Sequence, residues 1–227
     1  MNPFRVVRDF EAALCEYTGA PYAVTTTSCT MALLLAVAWH LAFRRPMAND
    51  LHGGPETMRC STEIEIPKRT YVGVPMSIIH AGGRPTFRDE DWIGGYQLKP
   101  LRVLDCARWL TGGMFTTRLN LDGPGLMLCV SFHWSKTLGI QQGGAILHDN
   151  AEADTWLRRA RFDGREEGVA PKDQKDWQLG WHAYMSPETA AAGLVRLASL
   201  PRHNDPLPWG PGTTSEYPDL SQMDIFR

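Results

Sequence analysis

The stretch SFHWSKTLGIQQGGAILHD, Ser131 to Asp149, decides the fold and has Lys136 near its centre. The apolar runs LMLCVSF and GGAILH, which overlap its two ends, are typical of short buried strands. The sequence therefore predicts that Lys136 lies on a tight connection at one edge of a sheet. Gly143 and Gly144 let the backbone turn sharply or approach a ligand closely. Taken alone, the stretch also fits a polar loop with one solvated lysine.

Composition limits the classes of partner. The chain has 227 residues, of which 43% are hydrophobic and 21% are charged, as in an ordinary globular protein with one main domain. A net charge of -2 and a pI near 6.4 give no basic face for nucleic acid or for an anionic membrane. No stretch has the length of a membrane span. We therefore expect neither nucleic acid nor a membrane as partner.

The cysteines indicate a reducing environment. The five of them are widely spaced, with no CxxC pair and no histidine at ligand spacing: Cys15, Cys29, Cys60, Cys106 and Cys129. They are interpreted as reduced thiols, which favours a cytoplasmic protein, and no metal site is expected.

The order of elements predicts an α/β fold. Helices are predicted at residues 4–17, from Ser28 or Thr30 onward, in RTYVGVPMSIIHAGG, at 150–162 and after Ser186; strands are predicted at 22–25, TEIEIP, RPTFRD and LRVLD. Residues 44–61 are predicted to form a surface excursion, and 164–185 a loop. Strands that alternate with helices through short connections favour a mostly parallel sheet covered on both faces.

The same pattern suggests a domain boundary and a site. Residues 1–200 are interpreted as one domain and the proline-rich residues 201–227 as an extended strap or a partly disordered tail. In parallel sheets, ligands bind at the carboxyl ends of the strands. Asp105 ends one predicted strand, and the turn at Ser28 follows another.

Four segments, in order, resemble the DegT-type nucleotide-sugar aminotransferases, which depend on pyridoxal phosphate (PLP). They are FEAALCEYTGAPYAVTTTSCTMALLLA, IPKRTYVGVPMSIIHAGGRPTFRDED, SFHWSKTLGIQQGG and GWHAYMSPETAAAGLVRL. The resemblance covers most of residues 8–200. It implies the large domain of the fold type I PLP-dependent transferases, an α/β domain with a mostly parallel central sheet flanked by helices.

The resemblance also implies the two catalytic residues. Lys136 would form a Schiff base with the cofactor aldehyde and later act as the base that moves a proton. Asp105 would pair with the pyridine nitrogen and hold its proton, because a nearby carboxylate favours the cationic form. A strand-end aspartate that only caps the following turn is the alternative for Asp105.

Further residues would bind the cofactor or a second subunit. Ser28, Cys29 and Thr30 open a long helix whose free amides attract a phosphate, although Ser28 and Thr30 would serve equally as ordinary helix caps. Ser131 would add a hydroxyl group. Tyr71 would stack on the pyridine ring, or it is merely a buried aromatic. In the resemblance, Arg108 lies beside the phenolic oxygen of the cofactor, and His182 reaches the phosphate of a partner subunit in a homodimer with shared active sites.

This chain departs from the family pattern at several positions. Cys29 stands where a glycine is usual, Arg108 replaces a glutamine, and Tyr184 replaces an arginine. The region that resembles the family stops near Leu200, so we expect a shortened form that lacks the C-terminal small domain. That domain normally helps to close the cleft over the substrate.

The function expected from the resemblance is transamination. A minimal PLP-dependent aminotransferase would move an amino group from an amino acid donor to a keto sugar or another carbonyl acceptor through the Lys136 Schiff base. Two alternatives stay open. One is a PLP enzyme of another reaction type, such as a decarboxylase, a lyase or a racemase, and the other is a PLP-binding scaffold without catalysis.

Overall fold

The structure is a computed structural model that describes residues 4–44, 62–207 and 217–227. Within these ranges six helices and seven strands alternate along the chain: α1 Arg5–Thr18, β1 Tyr22–Thr26, α2 Cys29–Arg44, β2 Glu63–Pro67, α3 Gly73–His80, β3 Arg84–Arg88, β4 Tyr96–Leu98, β5 Val103–Asp105, α4 Met114–Asp122, β6 Met127–Ser131, β7 Gly144–His148, α5 Ala151–Ala160 and α6 Pro187–Ala198. The α/β class predicted from the sequence is confirmed.

The strands form one sheet of five strands and one of two. The larger sheet has the order β1-β7-β6-β5-β4, and the smaller one pairs β2 with β3. An antiparallel bridge joins the two sheets, since Glu65 N donates to Lys99 O at 2.8 Å and Lys99 N donates to Glu65 O at 3.0 Å. The seven described strands therefore form a continuous series, in which the smaller sheet adjoins the β4 side of the larger one.

The strand directions differ from the predicted mostly parallel sheet. Among the described strands, only β5–β6 and β2–β3 pair in parallel, whereas β1–β7, β6–β7 and β4–β5 pair antiparallel. Short connections account for two of the three antiparallel pairs, β4–β5 and β6–β7, because a parallel pair needs a long crossover and an antiparallel pair of consecutive strands does not. Residues 132–143 join β6 to β7, and residues 99–102 join β4 to β5, and neither segment contains a helix.

Helices cover both faces of the larger sheet. The side chains of β6 alternate between two cores, so that Met127 and Cys129 pack with α2, α3 and α5, while Leu128 and Val130 pack with α1, α4 and α6. All residues of β6 and β7 are buried. The strand that precedes Lys136 is therefore fixed from both sides.

Two helix ends have the capping residues that the sequence predicts. α1 ends at Gly19, which has the left-handed conformation (φ 78°) expected of a glycine after a helix. α6 begins with Ser186, whose side chain accepts from Thr189 N, and with Pro187 as its first residue. The predicted excursion at 44–61 lies outside the described residues, apart from residue 44.

A buried ion pair fixes the end of β1. Glu11 on α1 and Arg161 after α5 are both buried and pair with each other, and Thr25 N also donates to Glu11 Oε1 at 2.9 Å. Arg161 Nη1 donates to Thr25 O at 2.7 Å, so the guanidinium holds strand and helix together. Thr27 N then donates to Ala183 O at 2.9 Å. These contacts position the turn between β1 and α2.

The described parts of the 201–227 tail pack on the domain. Gly112 N donates to Arg202 O at 2.7 Å, and Trp109 Nε1 donates to Asn204 O at 3.3 Å. Residues 220–222 and 224–226 form two single 3-10 turns, and Leu220 N donates to Lys68 O at 2.9 Å. The segment 201–207 thus lies along the loop that follows β5.

None of the helices in the described ranges combines the length and the apolar character that crossing a bilayer requires.

Candidate functional site

Three strand ends meet on one side of the larger sheet. Asp105 ends β5, Ser131 ends β6 and Thr26 ends β1. In register, Ser131 and Thr26 both pair with Gly144, while Asp105 pairs with Cys129, two residues before Ser131. Since side chains alternate along a strand, Asp105 and Ser131 share the face on which Val103 and Cys129 pack against α2. The sheet therefore brings Asp105 and Ser131 together below the first turn of α2.

The first turn of α2 closes this edge. Ser28 Oγ accepts from Met31 N at 3.2 Å, so Ser28 acts as the helix cap. A side-chain carbon at Gly144 would lie 2.4 Å from Cys29 N, and only glycine permits this approach of β7 to the helix. Cys29 is buried, and burial raises the pKa of its thiol well above 9. The residue that departs from the family pattern thus adds a neutral, packed thiol at this turn.

Asp105 is a buried carboxylate with two hydrogen-bond donors. It is 3% exposed; Ala107 N donates to Oδ1 at 2.9 Å and the Tyr96 hydroxyl donates to Oδ2 at 2.9 Å. Burial raises the pKa of Asp105 above its ordinary 3.8, while the two hydrogen bonds and the charge of Lys136 act in the opposite direction. The capping role that the sequence left open is present, because Ala107 lies two residues further on, and it leaves Asp105 facing α2.

Lys136 lies on the connection that the sequence predicted. Lys136 N donates to His133 O at 2.8 Å, and Ser131 Oγ accepts from His133 N at 3.4 Å, so a tight turn follows β6 directly. Phe132 N donates to Gly143 O at 2.9 Å and closes the base of the loop. Lys136 is half-buried, and its charge lowers the pKa of both Asp105 and Cys29. The amine is therefore close enough to both groups for electrostatic interaction.

Tyr71 and Thr30 lie beside each other at the start of α3. A side-chain carbon at Gly73 would lie 2.8 Å from Tyr71 Cε1 and 3.2 Å from Thr30 Cγ2. Ser77 Oγ also donates to Thr30 O at 3.0 Å, which ties α3 to the first turn of α2. Tyr71 is 56% exposed, so the alternative of a merely buried aromatic is wrong. Its ring is open to a ligand next to the α2 turn.

Two predicted site residues make their described contacts elsewhere. Arg108 Nε donates to Leu207 O at 3.4 Å, and Leu207 N donates to Arg108 O at 2.8 Å, which links Arg108 to the tail segment. The His182 side chain is 71% exposed, and its Nδ1 lies 3.0 Å from Asp163 Oδ2. Its neighbour Ala183 accepts from Thr27 N, so His182 faces solvent from a segment bonded to the β1–α2 turn.

Sequence reasoning missed Tyr96 and Thr70. Tyr96 lies on β4 directly opposite Asp105 in the register of β4 and β5, and it is 5% exposed. The Thr70 side-chain oxygen lies 2.6 Å from the Tyr96 oxygen. The only signal in the sequence is the triplet YQL between Gly95 and Lys99, which is too short to show a strand period. The structure therefore adds a hydrogen-bonded tyrosine to the site.

The sequence matches the model of the DegT/DnrJ/EryC1/StrS aminotransferase family over residues 2–103 and 123–206. Asp105 and Arg108 lie in the gap between these two ranges. A search of curated proteins found no match.

Solved structures of similar fold include two proteins named as aminotransferases and one that contains the cofactor PMP. Sugar aminotransferase CalS13 from Micromonospora echinospora has 19% identity and a TM-score of 0.63, over 86% of this chain and 61% of that one. PseC from Helicobacter pylori, an aminotransferase involved in pseudoaminic acid biosynthesis, has 18% identity and a TM-score of 0.62, over 87% and 58%. NtdA from Bacillus subtilis, with bound cofactor PMP, has 17% identity and a TM-score of 0.59, over 86% and 48%.

The likeness to these structures concerns the fold, since each identity is below 20%. This chain spans 48–61% of the length of the three proteins. The family match extends from α1 to the segment just after α6, apart from residues 104–122.

Proposed function

This chain belongs to the DegT/DnrJ/EryC1/StrS aminotransferase family, and we propose that it uses PLP to move an amino group from an amino acid donor to a keto sugar or other carbonyl acceptor. The observation that carries the proposal is the meeting of three chemically different groups at one sheet edge. They are the buried carboxylate of Asp105, the amine of Lys136 on the turn after β6, and the first turn of α2 behind Ser28.

The donor set fits PLP, which carries a phosphate, an aldehyde and a basic ring nitrogen. Free amides at the start of α2, with the hydroxyl groups of Ser28 and Ser131, suit the phosphate. Both hydrogen bonds to the buried Asp105 come from uncharged donors, Ala107 N and Tyr96. A carboxylate buried in this way is costly unless a cation pairs with it, and a protonated ring nitrogen is such a cation. The site thus has a partner for each group of PLP.

Bound PLP supplies an aldehyde that bonds amines and a ring that withdraws electrons from the substrate carbon. The protein contributes position and proton transfer. Asp105 Oδ2 or Oδ1 keeps a proton on the ring nitrogen, because its negative charge favours the cationic ring. Lys136 Nζ would be the amine that holds the cofactor aldehyde, and it would serve as the base that takes a proton from the substrate carbon.

Three further assignments complete the proposed site. Tyr71 stacks on the cofactor ring, a role supported by the exposure of its ring beside Thr30. Thr30 and Cys29 contribute backbone amides to the phosphate. Arg108 lies beside the phenolic oxygen, where a fixed cation would stabilise the phenolate; the loop on which it lies is held by Leu207.

We also propose that two copies of the chain form a homodimer. The exposure of two large aromatic side chains near the site supports this, since Tyr71 is 56% and Trp134 is 71% exposed. In the dimer His182, which is exposed on the loop before α6, reaches the phosphate bound by the partner copy. Sedimentation equilibrium that gives the 25.4 kDa of one chain at micromolar concentrations would contradict this assembly.

A cytoplasmic location, supported by four unpaired cysteines among the described residues, is tested by cell fractionation.

A screen of single amino acids tests the proposed reaction. PLP-loaded protein is mixed with one amino acid at a time, and the absorbance of the bound cofactor and the keto acid released are measured. A true donor is expected to convert the cofactor fully to its aminated form and to release one keto acid per site. Carbon dioxide, an eliminated group or an inverted amino acid as product would indicate another PLP reaction. An unchanged spectrum with every amino acid would indicate a binding scaffold.

A pair of cap variants tests the phosphate site. Ser28 caps α2, and Asn150 caps α5 with the same geometry, its Oδ1 accepting from Ala153 N at 2.9 Å. Replacement of either cap by alanine is expected to lower the free energy of unfolding by about 1 kcal/mol. Only Ser28→Ala should also weaken PLP and inorganic phosphate binding. Asn150 follows the end of β7 and therefore lies at the opposite end of the strands from Ser28. Calorimetry and phosphate titration measure both effects. Equal loss of phosphate affinity in the two variants would show that Ser28 acts only through stability.

A further inference from the structure

Tyr96 and Asp105 form a buried pair that no motif in the sequence signals. β4 brings Tyr96 directly opposite Asp105, and the hydroxyl lies 2.9 Å from Asp105 Oδ2. Burial and the neighbouring carboxylate raise the pKa of Tyr96 well above 10, so its oxygen keeps its proton and donates it. The direction of this hydrogen bond is therefore fixed.

Thr70 completes a chain of three groups. A phenol has one proton, and because Tyr96 donates it to Asp105, the contact of 2.6 Å between Thr70 Oγ1 and the Tyr96 oxygen needs the Thr70 proton. Thr70, Tyr96 and Asp105 are all buried, at 1%, 5% and 3% exposure. Hydrogen bonds that run in one direction strengthen each other at low local dielectric constant. The chain thus ends on Asp105 with its donors aligned.

The ring of Tyr96 is held independently of its hydroxyl group. The Trp92 ring contacts it at 4.6 Å between centroids, and Trp92 Nε1 donates to Arg69 O at 3.1 Å. A phenylalanine at position 96 would keep this packing. The hydroxyl can therefore be removed while the ring keeps its contact with Trp92.

We propose that Tyr96 is a positioning residue, which orients the Asp105 carboxylate and stabilises its charged form so that it can pair with the ring nitrogen of PLP. The proposal rests on the function proposed above. Asp105 has one orientation when Ala107 N holds Oδ1 and Tyr96 holds Oδ2. Thr70 directly precedes Tyr71, so the chain of hydrogen bonds that ends on Asp105 begins next to the residue proposed to stack on the cofactor ring.

Among the described residues, a lysine and three cysteines also interact electrostatically with Asp105. Lys136 on the turn after β6 lowers the pKa of Asp105, and the charge of Asp105 in turn acts on the thiols of Cys29, Cys106 and Cys129. These thiols carry no charge near neutral pH, since burial raises the pKa of Cys106 to about 12 and that of the other two well above 9. Lys136 and Tyr96 are thus the side chains that stabilise the charge of Asp105.

The test is the titration of Asp105 in the protein without PLP. Carboxyl carbons labelled with ¹³C in aspartate are followed by NMR, and Asp105→Asn assigns the resonance. In Tyr96→Phe the pKa of Asp105 is expected to rise by about one pH unit or more, because a hydrogen bond to the charged form is lost. Thr70→Val should raise it less, and Thr70→Ser should restore the wild-type value. The same titration in Tyr96→Phe as in the wild type would overturn the proposal.

A second measurement separates positioning from packing. PLP affinity is measured for Tyr96→Phe in the wild-type protein and in Asp105→Asn. If Tyr96 acts through Asp105, the change weakens PLP binding at least fivefold in the wild type and has little effect in Asp105→Asn. Equal losses in both backgrounds, or no loss in either, would contradict the role. Because the NMR titration needs no cofactor, a failure to bind PLP would refute the proposed function without affecting the result for Tyr96.

Discussion

Lys136→Ala is expected to give a folded protein that binds PLP without a covalent bond and lacks the visible absorption of lysine-bound cofactor. The turn after β6 places Lys136 near Asp105 and Cys29, and the alanine variant has no amine at this position that could bond the aldehyde. Removal of a half-buried lysine side chain should change the free energy of unfolding by less than about 1 kcal/mol. Absorbance after gel filtration and circular dichroism check the two statements.

Lys172→Ala is the matched control for this change. Lys172 is exposed on the loop between α5 and α6, so its loss should leave the cofactor absorbance at the wild-type level. Full absorbance in Lys136→Ala, or its loss in Lys172→Ala, would mean that the amine has been assigned wrongly.

Asp105→Asn is expected to lower PLP affinity by about 10- to 100-fold, since a hydrogen bond to a charged group contributes about 1.5–3 kcal/mol. An asparagine keeps the size of the side chain and can still accept from Ala107 N, but it has no negative charge to hold a proton on the ring nitrogen. Amino-donor conversion should fall further than affinity, because proton removal from the substrate depends on the charged ring. Titration with PLP and single-turnover absorbance measure the two losses. Wild-type turnover would exclude Asp105 as the partner of the ring nitrogen.

The same variant has an expected effect on stability without PLP. The pKa of Asp105 in the folded protein is raised above 3.8, mainly by burial, so the folded state binds this proton more tightly than the unfolded state. Protonated Asp105 therefore contributes to the free energy of unfolding. This contribution is fully present below the pKa of the unfolded state, and it is lost as the pH rises through the higher pKa of the folded state. Asp105→Asn removes that loss, so its stability near pH 7 should equal or exceed that of the wild type. A wild-type pH slope in Asp105→Asn would contradict this account.

Strand ends explain why part of the site could be predicted. Asp105, Ser131 and the Ser28 turn each follow an apolar run that is recognisable without a structure, and the ends of such strands meet in an α/β sheet. The lysine on the β6–β7 connection follows from the same signal. The helix caps could also be predicted from the sequence. Ser28 and Ser186 each bond the backbone only three residues further on, so the signal is local.

Tyr96 could not be predicted, because its role comes from pairing across the sheet. β4 has three residues and no measurable period, and its partner β5 is equally short. What fixes Tyr96 opposite Asp105 is the register of the two strands and the bridge from Lys99 to Glu65. The antiparallel directions were missed for a related reason, since the period of a strand contains no information about its direction.

Contacts between distant residues explain the remaining differences. Arg108 is hydrogen-bonded to Leu207, and Trp109 to Asn204, across more than ninety positions of sequence. Helix α4, Met114–Asp122, was also missed, since it buries only Met114 and Phe115 and so has almost no apolar stripe. These elements depend on the rest of the fold more than on their own residues.

The central claim, that Lys136 is the amine which bonds the cofactor, is tested most directly by chemical trapping. Protein loaded with PLP is treated with borohydride, which makes the bond between lysine and cofactor permanent, and the digested protein is mapped by mass spectrometry. We expect one pyridoxyl phosphate group per chain, on the peptide that contains Lys136. A modification at another lysine in place of Lys136, or no modification on any peptide, would contradict the account.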